Sequence, residues 1–300
     1  MFQTMMAKQP DFQNTGYKLF DAGFATLSQL ARGPLSKLPE EERNALYNAF
    51  RAGFDDMQDE IEDAQKNGKQ TFLKEHALLL SGPDKLFDLF YRDDGLKPIV
   101  LTDRNAPDQA HTNPTSIPDS FLLRLRPIFQ IRHPILMFPS VLRTEKKALG
   151  TLHPKSPLVA AALTLSHSRA LYDWYLNHEG GPRPQVIDAD DIMTDKSAVR
   201  RVCIETGLDP DAVQYEWETR EEPNPVKAVF LSTIYASKGI LPGLSSQGLK
   251  FETEKAKWKA EFGDDDGEDL AKFVLDAMPD YDYLLSQRTY INRQEASQRG

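Results

Sequence analysis

The segment from Pro127 to Arg143 constrains the fold most, because a predicted buried strand in it runs directly into charged residues and a helix-prone stretch follows a second proline. Its residues 128–131, Ile-Phe-Gln-Ile, are mainly β-branched and aromatic, as is typical of a buried strand. Arg132 and His133 follow directly, and Pro134 ends the strand. We therefore predict a buried strand whose carboxyl end presents a charged guanidinium group.

The second half of this segment predicts an anion site. Pro139 stands directly before Ser140, and proline is favoured at the first helical position, where its missing N–H is not needed. We therefore expect a helix to start at Pro139 and to hold the N–H and hydroxyl of Ser140 in its first turn. Free N–H groups in such a turn attract anions, so Ser140 and Arg132 together predict a phosphate site. The alternative is a solvated arginine and a serine that only caps the helix.

Strand and helix patterns alternate along the chain, which predicts a single α/β domain over residues 1–300. Three strands are expected to be parallel neighbours in one sheet: residues 70–74, 127–132 and 184–188. Helices are predicted at residues 39–67, 81–92, 156–180, 194–205 and 268–287, and residues 208–300 form a mainly helical C-terminal part. The predicted architecture is a three-layer sandwich in which helices cover a mostly parallel sheet.

Residues 93–119 form a long irregular tract rich in Pro, Asn, Asp and Thr. Loops of this length inside a compact domain are usually functional or disordered. Because the tract lies between two predicted strand ends that carry polar residues, a substrate lid is the functional hypothesis. A peripheral loop is the alternative.

Composition and charge exclude several functions. The chain has 45 acidic and 36 basic residues, a net charge of −9, and no basic block, so we expect neither nucleic acid nor membranes as partners. Its single cysteine, Cys203, cannot form an internal disulfide and fits a reducing compartment. No apolar run approaches membrane-spanning length, and the N-terminus lacks the apolar core of a signal peptide. We expect a soluble, cytoplasmic protein, and its oligomeric state stays open.

Two acidic runs invite a metal-site hypothesis, which the sequence does not favour. The acids within residues 55–63 lie on the faces of a predicted helix away from its apolar stripe, as solvated residues do. Residues 188–191, Asp-Ala-Asp-Asp, follow a predicted strand, where aspartates commonly cap turns and helices. We predict no metal ligand.

A polar triplet, Lys74-Glu75-His76, follows the predicted strand at 70–74. Ligands of parallel sheets bind outside the carboxyl ends of strands. We therefore expect Lys74 and His76, which point to the same side of a strand, to face a ligand site. Histidine titrates near neutrality, so its ring can be neutral there. The alternative is a histidine whose ring is satisfied by hydrogen bonds at the strand end.

Two of these motifs together resemble sulfotransferases, which have the P-loop nucleoside triphosphate hydrolase fold. Lys74-Glu75-His76 is similar to that family's Lys-x-His segment, and Arg132, Pro134 and Ser140 are similar to its 3′-phosphate segment. The resemblance implies that Arg132 and Ser140 bind the 3′-phosphate of 3′-phosphoadenosine 5′-phosphosulfate. It also implies that His76 takes the proton from the acceptor hydroxyl and that Lys74 stabilises the departing phosphate.

The chain departs from the family pattern at three places. His133 stands where the family more often has asparagine, and Ala77 stands where it has proline. No Gly/Ser/Thr-rich turn that could bind the 5′-phosphosulfate is recognisable near the N-terminus. The segment most similar to such a turn is Gly82-Pro83-Asp84-Lys85. Residues 184–207 resemble a block of fungal and bacterial sulfotransferase-like proteins. We therefore expect a fungal-type member of this fold with an incomplete N-terminus.

Two functional hypotheses follow from the resemblance. In the first, the chain is an enzyme of fungal secondary metabolism that moves a sulfuryl group to a hydroxyl of a small metabolite. In the second, it keeps the fold but has lost donor binding, and it acts in binding, in assembly or in acid–base chemistry through His76. In either case we expect His76 and Lys74 at the mouth of a cleft that also contains Arg132.

Overall fold

The structure, a computed structural model, describes residues 1–92, 94–106, 111–150, 152–241 and 243–289. Its α-helices are α1 (Phe2–Met5), α2 (Phe20–Gln29), α3 (Glu40–Lys66), α4 (Pro83–Asp88), α5 (Asp119–Leu122), α6 (Pro134–Leu149), α7 (Pro157–Ala162), α8 (Ser166–Asn177), α9 (Ala189–Thr194), α10 (Lys196–Thr206), α11 (Pro225–Tyr235), α12 (Phe251–Phe262) and α13 (Asp264–Ser286). Its strands are β1 (Phe12–Asn14), β2 (Gln70–Phe72), β3 (Ile128–Ile131) and β4 (Gln185–Asp188). Short 3₁₀-helices lie at Leu30–Arg32, Leu35–Lys37, Ala77–Leu80 and Pro210–Ala212.

The chain divides into two compact units, and each unit is built from separate stretches of sequence. Unit 1 comprises Met1–Pro10, Ile128–Leu165 and Gln185–Gly300, and unit 2 comprises Asp11–Pro127 and Ser166–Pro184. The α/β class is confirmed, because helices surround parallel strands. The prediction of one domain stays a prediction. Among the described residues, no helix combines the length and apolar composition that crossing a membrane requires.

The strands pair in parallel, but not as predicted. In unit 2, β1 pairs with β2, and in unit 1, β3 pairs with β4, so the described strands form two sheets of two strands each. The prediction that all three recognised strands are neighbours in one sheet is wrong. The neighbour of β2 is β1. The sequence did not predict β1, because its three residues of mixed polarity, Phe-Gln-Asn, show no strand period.

Helix α3 of unit 2 buries one apolar stripe, as its apolar spacing predicts. Leu46, Phe50, Phe54 and Met57 are buried, and Ile61 is half-buried. Three glutamates fill the first turn of the helix, where the helix dipole favours negative charge. The acidic residues among 55–63 are exposed or half-buried, which confirms that they form a largely solvated face.

Unit 1 is organised around β3 and β4. All of β4 is buried, and Phe129 and Ile131 of β3 are buried beside it. Helices α6 and α10 follow the two strands and pack apolar faces inward; on α10 that face includes Cys203, as predicted. The predicted helix at 156–180 is instead two helices, α7 in unit 1 and α8 in unit 2.

Helix α6 begins five residues earlier than predicted. Pro134, not Pro139, occupies its first turn, and Nδ1 of His133 accepts a hydrogen bond from the Ile135 N–H at 3.1 Å. This cap satisfies a free N–H of the first turn, which is what an asparagine at the same position would also do. Pro139 then lies inside the helix, where it removes one hydrogen bond.

Candidate functional site

The predicted base His76 lies just after β2, between that strand and the 3₁₀-helix Ala77–Leu80. Its backbone is extended, with φ −91° and ψ 134°. Lys74 lies two residues earlier on the same irregular stretch and is half-buried. The structure therefore places the predicted pair Lys74 and His76 at the carboxyl end of a parallel strand, within unit 2.

The aromatic ring of Tyr17, which the sequence did not predict to belong to the site, contacts both residues. The Tyr17 ring stacks on the His76 ring, with centroids 5.1 Å apart and planes inclined by 11°. Nζ of Lys74 lies 5.1 Å from the centroid of the same Tyr17 ring, in cation–π range. Tyr17 lies three residues after the end of β1. Because the sequence did not predict β1, an aromatic residue beside Gly16 did not point to a site.

Glu75 joins the two segments that carry these groups. Its Oε1 accepts hydrogen bonds from the backbone N–H of Lys18 and, at 3.1 Å, from that of Leu19. These donors lie at the start of α2, where free N–H groups favour a negative charge. The middle residue of the predicted triplet is therefore structural: its carboxylate holds the loop after β1 against the stretch after β2.

The surroundings of His76 favour its neutral form. Desolvation by the surrounding protein, and then the charge of Lys74, lower the pKa of His76 to about 4. His76 keeps substantial solvent exposure, which weakens the effect of desolvation. The direction itself has a second, independent cause, because a nearby ammonium group disfavours a second positive charge.

The arrangement in unit 2 can accept a proton. A neutral imidazole has one nitrogen free to accept a hydrogen bond, which a general base requires at neutral pH. The adjacent ammonium group of Lys74 can stabilise negative charge that develops during a reaction. These two properties are what the triplet was predicted to supply.

Arg132 lies directly after β3, as predicted, and its guanidinium group is partly buried. Nε of Arg132 is buried and has no hydrogen-bond partner in the part of the chain that the structure describes. Desolvation lowers the pKa of Arg132, whereas the charges of Asp190 and Asp188 raise it. Because arginine remains protonated in proteins, this is a partly buried cation whose buried Nε–H is an unused donor, which suits an anionic ligand.

Ser140 does not lie where the sequence predicted. It is the seventh residue of α6, beyond the four free N–H groups of the helix N-terminus. The expected first-turn N–H site at Ser140 is therefore wrong, because His133 and Pro134 start the helix. The half-buried hydroxyl of Ser140 is what could contact a ligand, and its carbonyl accepts a hydrogen bond from the Thr144 hydroxyl at 2.8 Å.

Two aspartates of unit 1, for which the sequence predicted only a capping role, carry charges that act on Arg132. The Asp190 carboxylate accepts hydrogen bonds from the N–H of Ser246 at 3.0 and 3.1 Å and from its hydroxyl at 2.5 Å. Asp188 accepts a hydrogen bond from the Tyr281 hydroxyl at 3.0 Å and one from the Asp190 N–H at 2.6 Å. Desolvation raises the pKa of Asp188 to about 6. Asp190 thus connects the glycine-rich loop at 238–250 to the strand end that neighbours Arg132.

The 93–119 tract is well connected within unit 2 where it is described. Asp103 pairs with Arg124 at 2.5 Å, and the Asp119 carboxylate accepts hydrogen bonds from Thr112 and Asn113. Residues 93 and 107–110 of the predicted lid lie outside the described residues. The lid function, and the cleft predicted to hold both pairs of site residues, stay predictions.

No group of three or more His, Cys, Asp or Glu side chains is arranged for a metal ion within the described ranges. The candidate cofactor-binding residues Arg132 and Ser140 carry a guanidinium group and a hydroxyl, which are groups that bind anions.

Comparison with known proteins identifies relatives that extend over most of the chain. No family model matches the chain, and no solved structure is significantly similar to it. It is 33% identical over 270 residues to Sulfotransferase ppzF of Metarhizium rileyi, covering 84% of this chain and 79% of that protein. It is 32% identical over 309 residues to Sulfotransferase ppzF of Metarhizium majus, covering 93% and 89%. The chain therefore belongs to the sulfotransferase-like family.

Proposed function

We propose that this chain transfers a sulfuryl group from 3′-phosphoadenosine 5′-phosphosulfate to a hydroxyl group of a small metabolite. Family membership supports a sulfotransferase-like role. The donor, the acceptor class and a place in fungal secondary metabolism come from the resemblance of the site motifs and are part of the proposal. So is action in the cytoplasm.

The observation that carries the donor assignment is the buried, unpartnered Nε of Arg132. Burying a charged donor without a partner is costly, so such a group is expected where a ligand supplies the missing acceptor. Phosphate offers several acceptor oxygens to a guanidinium group and forms strong charge-assisted hydrogen bonds with it. We assign Arg132 to the 3′-phosphate of the donor, with the Ser140 hydroxyl as a second contact.

The proposed reaction uses the two groups at the end of β2. The acceptor oxygen attacks sulfur while the bond between sulfur and the bridging phosphate oxygen breaks. His76 takes the proton of the acceptor hydroxyl, and Lys74 stabilises the negative charge on the departing phosphate. The products are a sulfate ester and adenosine 3′,5′-bisphosphate. The lowered pKa of His76 favours the neutral imidazole at physiological pH, and the unprotonated ring nitrogen of that form can accept this proton.

Radiolabelled donor provides the test. The protein is incubated with 3′-phosphoadenosine 5′-[³⁵S]phosphosulfate and pooled phenols and alcohols, and labelled sulfate esters are separated from the donor. We expect esters with the wild type and a loss of roughly 100-fold or more with His76→Ala. Lys74→Ala should also lower the yield of esters, because it removes the group that stabilises the departing phosphate. Its matched control is Lys69→Ala, which removes an exposed lysine near the same strand and should retain activity.

The result also decides between the two hypotheses drawn from sequence. Labelled esters that disappear with His76→Ala support the enzyme. If no acceptor is sulfated while adenosine 3′,5′-bisphosphate still binds, the chain is a binding protein of this fold and the proposed activity is rejected.

A further inference from the structure

The loop between β1 and α2 carries Tyr17 to the end of β2. Its ring covers one face of the His76 imidazole in a nearly parallel stack, and Lys74 lies over the same tyrosine. Tyr17 also contacts Phe20 of α2, with ring centroids 5.7 Å apart. One side chain therefore touches both residues that the proposed function requires at this strand end.

Backbone contacts fix where this tyrosine can be. The Thr15 N–H donates to the Phe72 carbonyl at 3.1 Å, which continues the parallel pairing beyond β1. Glu75 holds the loop from the other side through the Lys18 and Leu19 N–H groups. At Gly53, α3 approaches the loop so closely that an added Cβ would lie 2.7 Å from the Lys18 carbonyl oxygen.

The stacking geometry leaves the chemistry of the imidazole available. Both ring nitrogens lie in the plane of the imidazole and point outward, so a neighbour on its face does not block them. A face contact restricts rotation of the ring while its nitrogens still reach a ligand. The same tyrosine attracts the Lys74 ammonium group electrostatically, since the face of an aromatic ring is negative.

We propose that Tyr17 is a positioning residue that fixes the plane of the His76 imidazole and keeps the Lys74 ammonium group beside it. The inference rests on the roles assigned to His76 and Lys74 in the proposed function. It depends on the aromatic ring and not on the phenol hydroxyl, so phenylalanine should replace tyrosine here. Correct orientation of a base accelerates proton transfer without improving substrate binding, so its loss should lower kcat more than it raises KM.

Nuclear magnetic resonance of protein labelled with ¹⁵N-histidine tests this directly and needs neither donor nor acceptor. The His76 signals are assigned by their loss in His76→Gln. In Tyr17→Leu, which keeps an apolar side chain of moderate size, the pKa of His76 should rise toward its ordinary value, because the aromatic ring no longer covers one face of the imidazole and no longer holds the Lys74 ammonium group beside it. Tyr17→Phe should keep the wild-type pKa and tautomer. Among nearby charges, Lys74 opposes protonation, and the Glu75 carboxylate is engaged by backbone N–H groups.

Kinetics with the labelled donor and an acceptor from the screen give a second readout. We expect Tyr17→Leu to lower kcat roughly 10-fold or more with little change in KM, and Tyr17→Phe to stay within about twofold of the wild type. Unchanged His76 signals in Tyr17→Leu would overturn the proposal, as would Tyr17→Phe behaving like Tyr17→Leu. A wild type without sulfuryl transfer would reject the proposed function, whereas the histidine spectra would still decide whether Tyr17 positions His76.

Discussion

Asp190 accepts hydrogen bonds from both the backbone N–H and the hydroxyl of Ser246. Asp190 is also the largest Coulombic contributor that favours the charged form of Arg132. The carboxylate therefore serves two purposes within unit 1: it balances a partly buried guanidinium group, and it fixes a loop of glycine and polar residues. An anion that binds Arg132 would therefore lie near the Asp190 carboxylate and the loop that Asp190 fixes.

Replacing this carboxylate should loosen the loop. Asp190→Asn keeps one acceptor oxygen but loses the charge, so the hydrogen bonds to Ser246 weaken from charge-assisted to neutral. We expect amide hydrogen exchange at residues 245–247 to accelerate roughly 10-fold, and more in Asp190→Ala. Asp195→Asn, which alters the cap of α10, is the control and should change exchange only near Ser197. Unchanged exchange at 245–247 would show that Asp190 does not hold the loop.

Because the Glu145 carboxyl group is buried, we expect the free energy of unfolding to decrease as the pH rises. Glu145 is 5% exposed, on the inward face of α6, and burial raises its pKa to about 7. Between its ordinary pKa of 4.5 and 7, the folded state holds a proton that the unfolded state has lost. Its contribution to stability is therefore complete below pH 4.5 and decreases as the pH rises, by about 3 kcal/mol at pH 8.

Glu145→Gln removes this titration. We expect the free energy of unfolding of the variant to fall less than that of the wild type between pH 5 and pH 8, by about 1–3 kcal/mol in chemical denaturation. Glu218→Gln, at an exposed position, is the control and should follow the wild type. Parallel pH profiles for wild type and Glu145→Gln would contradict the assignment of a buried carboxyl group here.

Gly53 should not tolerate a methyl group. The added Cβ would lie 2.7 Å from the backbone oxygen of Lys18, and a backbone atom cannot rotate away as a side chain can. Gly53→Ala should destabilise the protein by about 1–3 kcal/mol, although alanine is the better helix former. Asp56→Ala, at an exposed position of the same helix, is the control and should be neutral or slightly stabilising. A thermal melt in which Gly53→Ala gains stability would mean that α3 does not pack on this loop.

Sequence patterns predicted those parts of the fold whose signal is long or local. The apolar stripe of α3 gave its position to within one residue at each end, and the apolar strand before Arg132 was found because four suitable residues adjoin a charged end. β1 could not be found this way, since three residues of mixed polarity carry no period. The start of α6 was misplaced because two prolines compete for it, and the His133 cap decided between them.

The sequence predicted those residues of the candidate site that belong to recognisable motifs. It did not predict the residues that contact and position them. Lys74, His76 and Arg132 lie at strand ends as expected. Tyr17 approaches His76 through the pairing of β1 with β2, a contact between segments distant in sequence that no local pattern encodes. The role of Glu75 as an acceptor for backbone N–H groups likewise depends on where α2 begins.

Calorimetric titration with adenosine 3′,5′-bisphosphate tests the central claim, that Arg132 binds the 3′-phosphate of the donor. We expect a dissociation constant on the order of micromolar to millimolar for the wild type. Arg132→Ala should weaken binding roughly 10- to 100-fold, and Arg132→Lys should restore little, since an ammonium group lacks the planar geometry of guanidinium. Arg126→Ala, at an exposed arginine, should leave binding unchanged. Adenosine 5′-monophosphate, which lacks the 3′-phosphate, should bind the wild type as weakly as the bisphosphate binds Arg132→Ala. Equal affinity of the wild type for both nucleotides, or no detectable heat from either at millimolar concentration, would contradict the claim.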